Sequence, residues 1–136
     1  MTGQGFKKWE RITNEATIEH LFKKGTSLFE FPFKVFYSFD LPTPRKGSME
    51  MAIAVPKKRL KHANDRNRVK RLVRESYRLN RLPVLEILEK NEKRMSLFLI
   101  YVGTADVNAD QVRQKIIVLL NRLQPLVVSE QEPQDL

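Results

Sequence analysis

The stretch that decides the fold of this 136-residue chain is AVPKKRLKHANDRNRVKRLVRESYR, residues 54–78. It begins at the end of a strand pattern, Met49 to Val55, in which side chains alternate between two faces. A basic loop follows, and then a helix is predicted from about Arg66 to Leu82, with Asn64 or Asp65 as its N-cap. A strand, a loop and a helix in this order favour a fold in which helices cover a small sheet.

Positive charge is concentrated in the same part of the chain. The chain has 25 Lys and Arg against 16 Asp and Glu, a formal net charge of +9. Residues 57–81 contain eleven of the basic residues and two of the acidic ones, so they account for the whole net charge. A solvated helix face usually mixes both signs, whereas segregated positive charge is typical of proteins that bind phosphate polymers. The charge pattern therefore favours nucleic-acid binding.

The predicted helix separates its charged residues from its apolar ones. At about 100° per residue, one side collects the inward-facing set, Val69, Leu72, Val73, Ser76 and Leu79. The opposite side collects a basic set, Lys70, Arg71, Arg74, Arg78 and Arg81. Arginine predominates in this set, and guanidinium groups bind phosphate bidentately and stack on bases. One side of the helix can therefore pack on a sheet while the other contacts RNA.

The rest of the chain alternates between helices and strands. The predicted elements are a short helix that ends at Gly25, strands at Phe31 to Phe39 and Ser96 to Val102, and helices at Val84 to Glu92 and Ala109 to Leu123. This order predicts an α+β fold. We expect one domain over residues 1–124, led by a polar arm over residues 1–13 with Thr13 or Asn14 as a helix cap. An acidic, disordered tail is expected over residues 125–136.

Alternation along the first predicted strand places an aromatic residue away from the main core. The inward set of that strand is Phe33, Val35, Tyr37 and Phe39. Phe36 then points to the other face beside Lys34, and the small residues Ala52 and Ala54 leave room there. An exposed Phe next to a Lys suits a groove for single-stranded nucleic acid. Alternatively, the first helix covers this face and Phe36 is core; both hold if Phe36 lies at the rim of the groove.

Residue patterns for catalysis are missing from the sequence. There is no Cys, the two histidines His20 and His62 lack metal-ligand spacing, and the strands contain only Asp40 and Glu50 as acids. No P-loop, dinucleotide fingerprint or apolar run of about 20 residues occurs. We therefore expect no catalytic residue, no bound metal and no organic cofactor on this chain, no membrane contact, and a cytoplasmic location.

Residues 54–78 resemble the signature of the bacterial ribonuclease P protein component. That signature is a strand end V-x-K-K, a short loop, and R-N-R-x-K-R-x-x-R-E opening a helix, here starting with Arg66-Asn67-Arg68. Upstream, LFKKGTS and FPFKVFY are similar to the family's first helix, glycine stop and aromatic strand. The resemblance covers about residues 12–123. It implies a two-layer αβββαβα sandwich with a small mixed sheet, in which the RNR helix lies in a left-handed βαβ crossover.

The same resemblance implies a function and a set of binding residues. It implies a subunit that binds a catalytic RNA and the 5′ leader of precursor tRNA, within an endoribonuclease whose RNA holds Mg²⁺ and performs hydrolysis. No protein partner is expected. The resemblance implies that Arg66, Asn67, Arg68, Lys70, Arg71 and Arg74 face the RNA, and the charge pattern adds Lys57 and Arg78. The resemblance implies that Phe22, Phe36 and Lys58 bind the leader, and the strand pattern adds Lys34 beside Phe36.

Two other functions fit parts of the sequence. A ribosomal protein or assembly factor would need the same charge and helix, but the RNR signature and the groove aromatic argue against it. A nuclease that acts without RNA would need several converging carboxylates, which the predicted strands lack.

Overall fold

A computed structural model of the chain describes residues 15–39, 49–104 and 107–129. The elements in chain order are α1 (Glu15–Lys24), β1 (Thr26–Glu30), β2 (Phe33–Phe39), β3 (Met49–Ala54), α2 (Ala63–Asn80), α3 (Leu82–Lys90), β4 (Met95–Tyr101) and α4 (Ala109–Ser129). The strands form one sheet in the order β1-β2-β4-β3. β2 pairs antiparallel with both neighbours, and β3 runs parallel to β4. This mixed sheet confirms the predicted α+β class and the parallel pair joined through the RNR helix, α2.

One face of the sheet carries the main core. The predicted inward set of β2, Phe33, Val35, Tyr37 and Phe39, is buried there, as period-2 alternation requires. Helices α2, α3 and α4 cover this face with apolar side chains that include Val69, Leu88 and Ile116. The sheet and these three helices form the two predicted layers.

Helix α1 packs on the opposite face of the sheet. Its Leu21 is fully buried against Phe36 of β2 and Phe98 of β4 in a second, smaller core. Gly25 ends the helix, as predicted, and its N–H donates to the carbonyl of Leu21 at 2.9 Å. A Cβ at this position would lie 2.5 Å from the same carbonyl oxygen, so the tight exit from α1 requires glycine. α1 thus adds a partial third layer beside the expected two.

The residue pattern did not predict the edge strand β1, although the αβββαβα order implied by the resemblance includes a third strand before the RNR helix. β1 pairs with β2 so that Thr26 lies opposite Tyr37 and Glu30 opposite Phe33. Its turn to β2 is Phe31-Pro32, which lacks the Asn-Gly or Asp-Gly signal of a two-residue hairpin. The sequence of β1 also has no continuous apolar face, since its side chains are exposed or half-buried.

A carboxylate on β1 connects this edge strand to α4. Glu30 accepts hydrogen bonds from Lys115 Nζ at 3.2 Å and from Arg122 Nη1 at 2.9 Å. Arg122 also donates to the carbonyl of Phe29 at 3.0 Å. Desolvation raises the pKa of Glu30, but the hydrogen bonds and positive charge of Arg122 and Lys115 outweigh it and hold the pKa below its ordinary value.

Helix α4 extends beyond its predicted end at Leu123 and beyond the domain boundary at residue 124. It continues to Ser129, and Val127 is fully buried in the main core. Lys93 Nζ donates to the carbonyl of Val127 at 3.0 Å, which satisfies one of the unpaired carbonyls at the helix end. The tail predicted from residue 125 is therefore wrong for residues 125–129. The predicted arm, its helix cap and residues 130–136 lie outside the described residues.

Candidate nucleic-acid interface

Helix α2 buries one side and exposes its basic side, much as the sequence predicts. Its buried residues are Val69, Leu72, Val73, Ser76 and Tyr77. Leu79, predicted to face inward, is instead 51% exposed. The buried side of α2 therefore includes Tyr77, which was not predicted to face inward, and Leu79 lies outside it.

Arg81 is also placed differently from the prediction. It is 2% exposed, so it does not belong to the basic surface. α2 ends at Asn80 and Pro83 lies in the first turn of α3, so the chain changes direction at Arg81. Arg81 Nη1 donates to the carbonyl of Arg78 at 2.6 Å, where a cation stabilises the helix end. The basic ridge of α2 therefore consists of Lys70, Arg71, Arg74 and Arg78.

The basic ridge presents like charges along one rigid helix. Arg71 is exposed, and the other three side chains are partly exposed. Glu75 is the only acidic residue between positions 66 and 81 of the sequence. Each close pair of like charges costs a few tenths of a kcal/mol on an isolated helix. A polyanion along the ridge would remove this repulsion.

The three residues that open the RNR motif point in different directions. Arg66 Nη1 donates to the carbonyls of Leu60 at 2.9 Å and Lys61 at 2.8 Å, and Leu60 is fully buried. Arg68 Nη1 lies 3.4 Å from the carbonyl of Val107, just before α4. Asn67 is exposed between them. Arg66 and Arg68 therefore position neighbouring segments in addition to carrying charge, a role that the sequence pattern does not reveal.

The N-terminus of α2 lies earlier than predicted. The helix begins at Ala63 with His62 as N-cap, so the predicted caps Asn64 and Asp65 are wrong. The N–H groups of Asp65 and Arg66 donate to the carbonyl of His62 at 3.1 and 3.2 Å. Asp65 lies in the first turn, where its charge suits the positive end of the helix.

Three of the four predicted leader-binding residues, Phe22, Lys34 and Phe36, meet on the face of the sheet that carries α1. Phe22 of α1 is 58% exposed, and its ring centroid lies 5.2 Å from that of Phe36. Phe36 is 8% exposed because α1 covers it and Phe98 stacks beside it at 6.3 Å. Lys34 Nζ lies 5.6 Å from the Phe36 ring centroid. We call the surface formed by Phe22, Phe36 and Lys34 the aromatic groove. Phe22 is the exposed ring of this groove, whereas Phe36 belongs to the smaller core and forms the base of the groove.

Strand register relates the groove to the basic loop. Ala54 of β3 pairs with Ile100 of β4, and Ile100 pairs in turn with Lys34 of β2. The turn that follows β3 carries Lys57 and Lys58, both exposed. These lysines therefore lie at the same end of the sheet as Lys34.

The described acidic and histidine residues do not assemble a metal site. Across residues 15–39, 49–104 and 107–129, no three His, Asp or Glu side chains lie grouped to hold an ion. Glu50 is buried and accepts a hydrogen bond from Ser96 Oγ at 2.6 Å, whereas Asp40 lies outside the described residues. His20 is half-buried on α1, and His62 is exposed. None of the helices in these three ranges is long and apolar enough to cross a membrane.

Solved structures share this architecture. An RNase P protein from Thermotoga maritima aligns with a TM-score of 0.62 at 27% identity, over 83% of this chain and 96% of that chain. A Staphylococcus aureus RNase P protein aligns with a TM-score of 0.68 at 22% identity, over 85% and 95%, which supports the fold.

Sequence comparisons identify the family. The family model described as Ribonuclease P matches residues 6–124. A ribonuclease P protein component from Porphyromonas gingivalis is 36% identical over 88 residues, which is 65% of this chain and 64% of that protein's length. Another, from Chlorobium phaeobacteroides, is 29% identical over 126 residues, 86% of each chain. The first alignment thus spans slightly less than two thirds of its relative, whereas the family match covers most of this chain. The chain belongs to the ribonuclease P protein family.

Proposed function

We propose that this chain is the protein subunit of a ribonuclease P ribonucleoprotein. It binds the catalytic RNA and the 5′ leader of precursor tRNA, and so assists endonucleolytic removal of the leader to give the mature 5′ end. The observation that carries this proposal is the basic ridge on the outer side of α2, within the motif that defines the family resemblance.

The geometry of the ridge suits a chain of phosphates better than a single anion. Lys70, Arg74 and Arg78 are four residues apart, so they form a row that rises about 6 Å per step. The opposite side of α2 is buried in the main core, which fixes the orientation of this row. A preorganised row of cations loses little entropy on binding RNA and releases counterions from several phosphates.

The aromatic groove supplies a different kind of contact. Phe22 offers an exposed ring for stacking on a base, and Lys34 lies within reach of a neighbouring phosphate. Stacking tolerates any base, because every base has a π-face. The groove therefore suits a leader whose sequence varies from one precursor tRNA to another.

In this proposal the RNA binds the Mg²⁺ and performs the hydrolysis, and the protein contributes binding and positioning. Two carboxylates on the α1 side of the sheet each have a partner within the protein, which is compatible with this division. Glu50 is hydrogen-bonded to Ser96, and Glu19 forms an ion pair with Lys23 at 3.0 Å.

Cleavage of precursor tRNA by a bacterial ribonuclease P RNA at low Mg²⁺, with and without the purified protein, tests the proposal. We expect the protein to stimulate cleavage, and the variant Arg71→Ala/Arg74→Ala to require a higher protein concentration. The matched control Lys90→Ala/Arg113→Ala removes the same charge from α3 and α4 and should behave as wild type. RNA binding without stimulation would favour a structural RNA-binding protein. Cleavage by the protein alone would place the chemistry on this chain.

A further inference from the structure

Two exposed aromatic side chains lie at the β1 edge of the sheet, outside the predicted leader-binding set. Phe29 is 56% exposed and Phe31 is 48% exposed. Their ring centroids are 6.4 Å apart and the ring planes are tilted by 51°. The two rings are close enough to form one small exposed apolar patch instead of two scattered side chains.

Strand register places this pair next to the aromatic groove. Phe29 lies directly opposite Lys34 in the antiparallel ladder of β1 and β2, so both side chains project from the same face of the sheet. This is the face that carries α1 and Phe36. Lys34 therefore lies between Phe36 on one side and Phe29 on the other. The groove and the edge pair form one continuous surface.

The charges around the edge pair suit a phosphate backbone. The only acid in β1, Glu30, points to the opposite face and is held by Lys115 and Arg122. Arg122 is half exposed and donates to the carbonyl of Phe29. Lys34 is a cation on the same face as the Phe29 ring, whereas Arg122 reaches the backbone of Phe29 from the face that carries Glu30. A ring beside a cation is an arrangement that single-strand binding surfaces use.

We propose that Phe29 and Phe31 form a second stacking site for single-stranded RNA, which extends the aromatic groove to leader nucleotides beyond those that contact Phe22. The two tilted rings present separate faces, so the site accepts two bases. The assignment of this strand to the 5′ leader rests on the proposed function. The stacking site itself rests on the exposure, register and charge of the β1 edge.

Binding of precursor tRNAs with leaders of increasing length to the holoenzyme tests this site. Phe29→Ala/Phe31→Ala should match wild type with a leader of about two nucleotides and bind at least about fivefold more weakly with a leader of about ten. The matched control Leu79→Ala/Leu82→Ala removes two exposed apolar side chains from the α2–α3 junction and should match wild type at every length.

Equal binding by Phe29→Ala/Phe31→Ala and wild type at every length, with wild-type cleavage still stimulated, would overturn the site and leave the proposed function intact. An equal loss at all leader lengths would also overturn it, since the effect would then not depend on extra nucleotides.

A second pair of variants distinguishes stacking from a general apolar contact. Phe29→Trp/Phe31→Tyr keeps aromatic faces and should retain long-leader binding, whereas Phe29→Leu/Phe31→Leu keeps apolar area and should lose it. Retention by the leucine variant would indicate docking of a protein instead and overturn the proposal.

If the protein fails to stimulate the RNA, the proposed function fails. The site is then judged by binding of a labelled ten-nucleotide RNA to the protein alone: a fivefold loss in the alanine variant supports it, and no loss overturns it.

Discussion

Individual arginines of α2 perform different tasks even though the sequence presents them as one basic run. Arg66 donates hydrogen bonds to the carbonyls of Leu60 and Lys61 and so holds the loop that leads into the helix. Arg71 is exposed on the basic ridge. A bond from a charged donor to a partly buried carbonyl contributes to stability, whereas an exposed cation contributes little.

Substitution of these two arginines should separate folding from RNA contact. We expect Arg66→Ala to lower the free energy of unfolding by about 1–3 kcal/mol, and Arg71→Ala to change it by less than about 0.5 kcal/mol. Both should weaken RNA binding. Urea denaturation followed by circular dichroism measures the first quantity, and Arg66→Lys, which keeps the charge but not the fork of donors, serves as a control. Equal stability of Arg66→Ala and wild type would refute a structural role for Arg66.

At the scale of elements, we expect α2 to act as one multivalent surface for RNA, and the salt dependence of binding measures this. Each phosphate neutralised contributes a fraction of a unit to the slope of log affinity against log salt. We expect a slope of several units for wild type, and a slope reduced by about 1–2 units for Arg71→Ala/Arg74→Ala. Lys90→Ala/Arg113→Ala should keep the wild-type slope. Identical slopes for all three proteins would mean that the ridge is only a solvated helix face.

The contact between β1 and α4 should make stability depend on pH. The folded pKa of Glu30 lies below the ordinary value of 4.5, so its contribution to stability is fully present above that pH. It is lost as the pH falls through the folded pKa. Glu30→Gln should lower the free energy of unfolding by about 1 kcal/mol at neutral pH, and this difference should shrink below pH 4.5. Thermal unfolding at several pH values measures it; a difference that persists unchanged at pH 2.5 would exclude charge as the cause.

How well each element could be predicted depends on whether its signal is local. The two sides of α2 are encoded by apolar and basic residues that both repeat with the helical period, so the ridge was predicted with one error at Arg81. That error arises at the α2–α3 junction, where tertiary packing sets the direction of the side chain. β1 was missed by the residue pattern, and only the strand order implied by the resemblance included it, because its residues carry neither a strong alternation nor a hairpin turn. The face of Phe36 follows from period 2, but its burial depends on how α1 docks, which the sequence does not specify.

For the molecule as a whole, the sheet lies between the two proposed binding surfaces. α2 packs on the main core and directs its basic ridge outward, whereas the aromatic groove lies on the opposite face under α1. The helix that carries the ridge packs on the main core, and the groove belongs to the separate, smaller core on the other face of the sheet. Binding of the catalytic RNA and of the leader should therefore be energetically separable.

Combining substitutions from the two surfaces tests this separation. Phe22→Ala should weaken holoenzyme binding of precursor tRNA with a long leader at least about fivefold and leave affinity for the catalytic RNA unchanged. Arg71→Ala/Arg74→Ala should weaken affinity for the catalytic RNA, measured by filter binding at fixed salt. In the triple variant, the free-energy changes for assembly plus substrate binding should add within about 0.5 kcal/mol, because distant sites without shared partners act independently. A larger deviation would show that RNA docked on the ridge reshapes the groove across the sheet, so that the two surfaces act as one site.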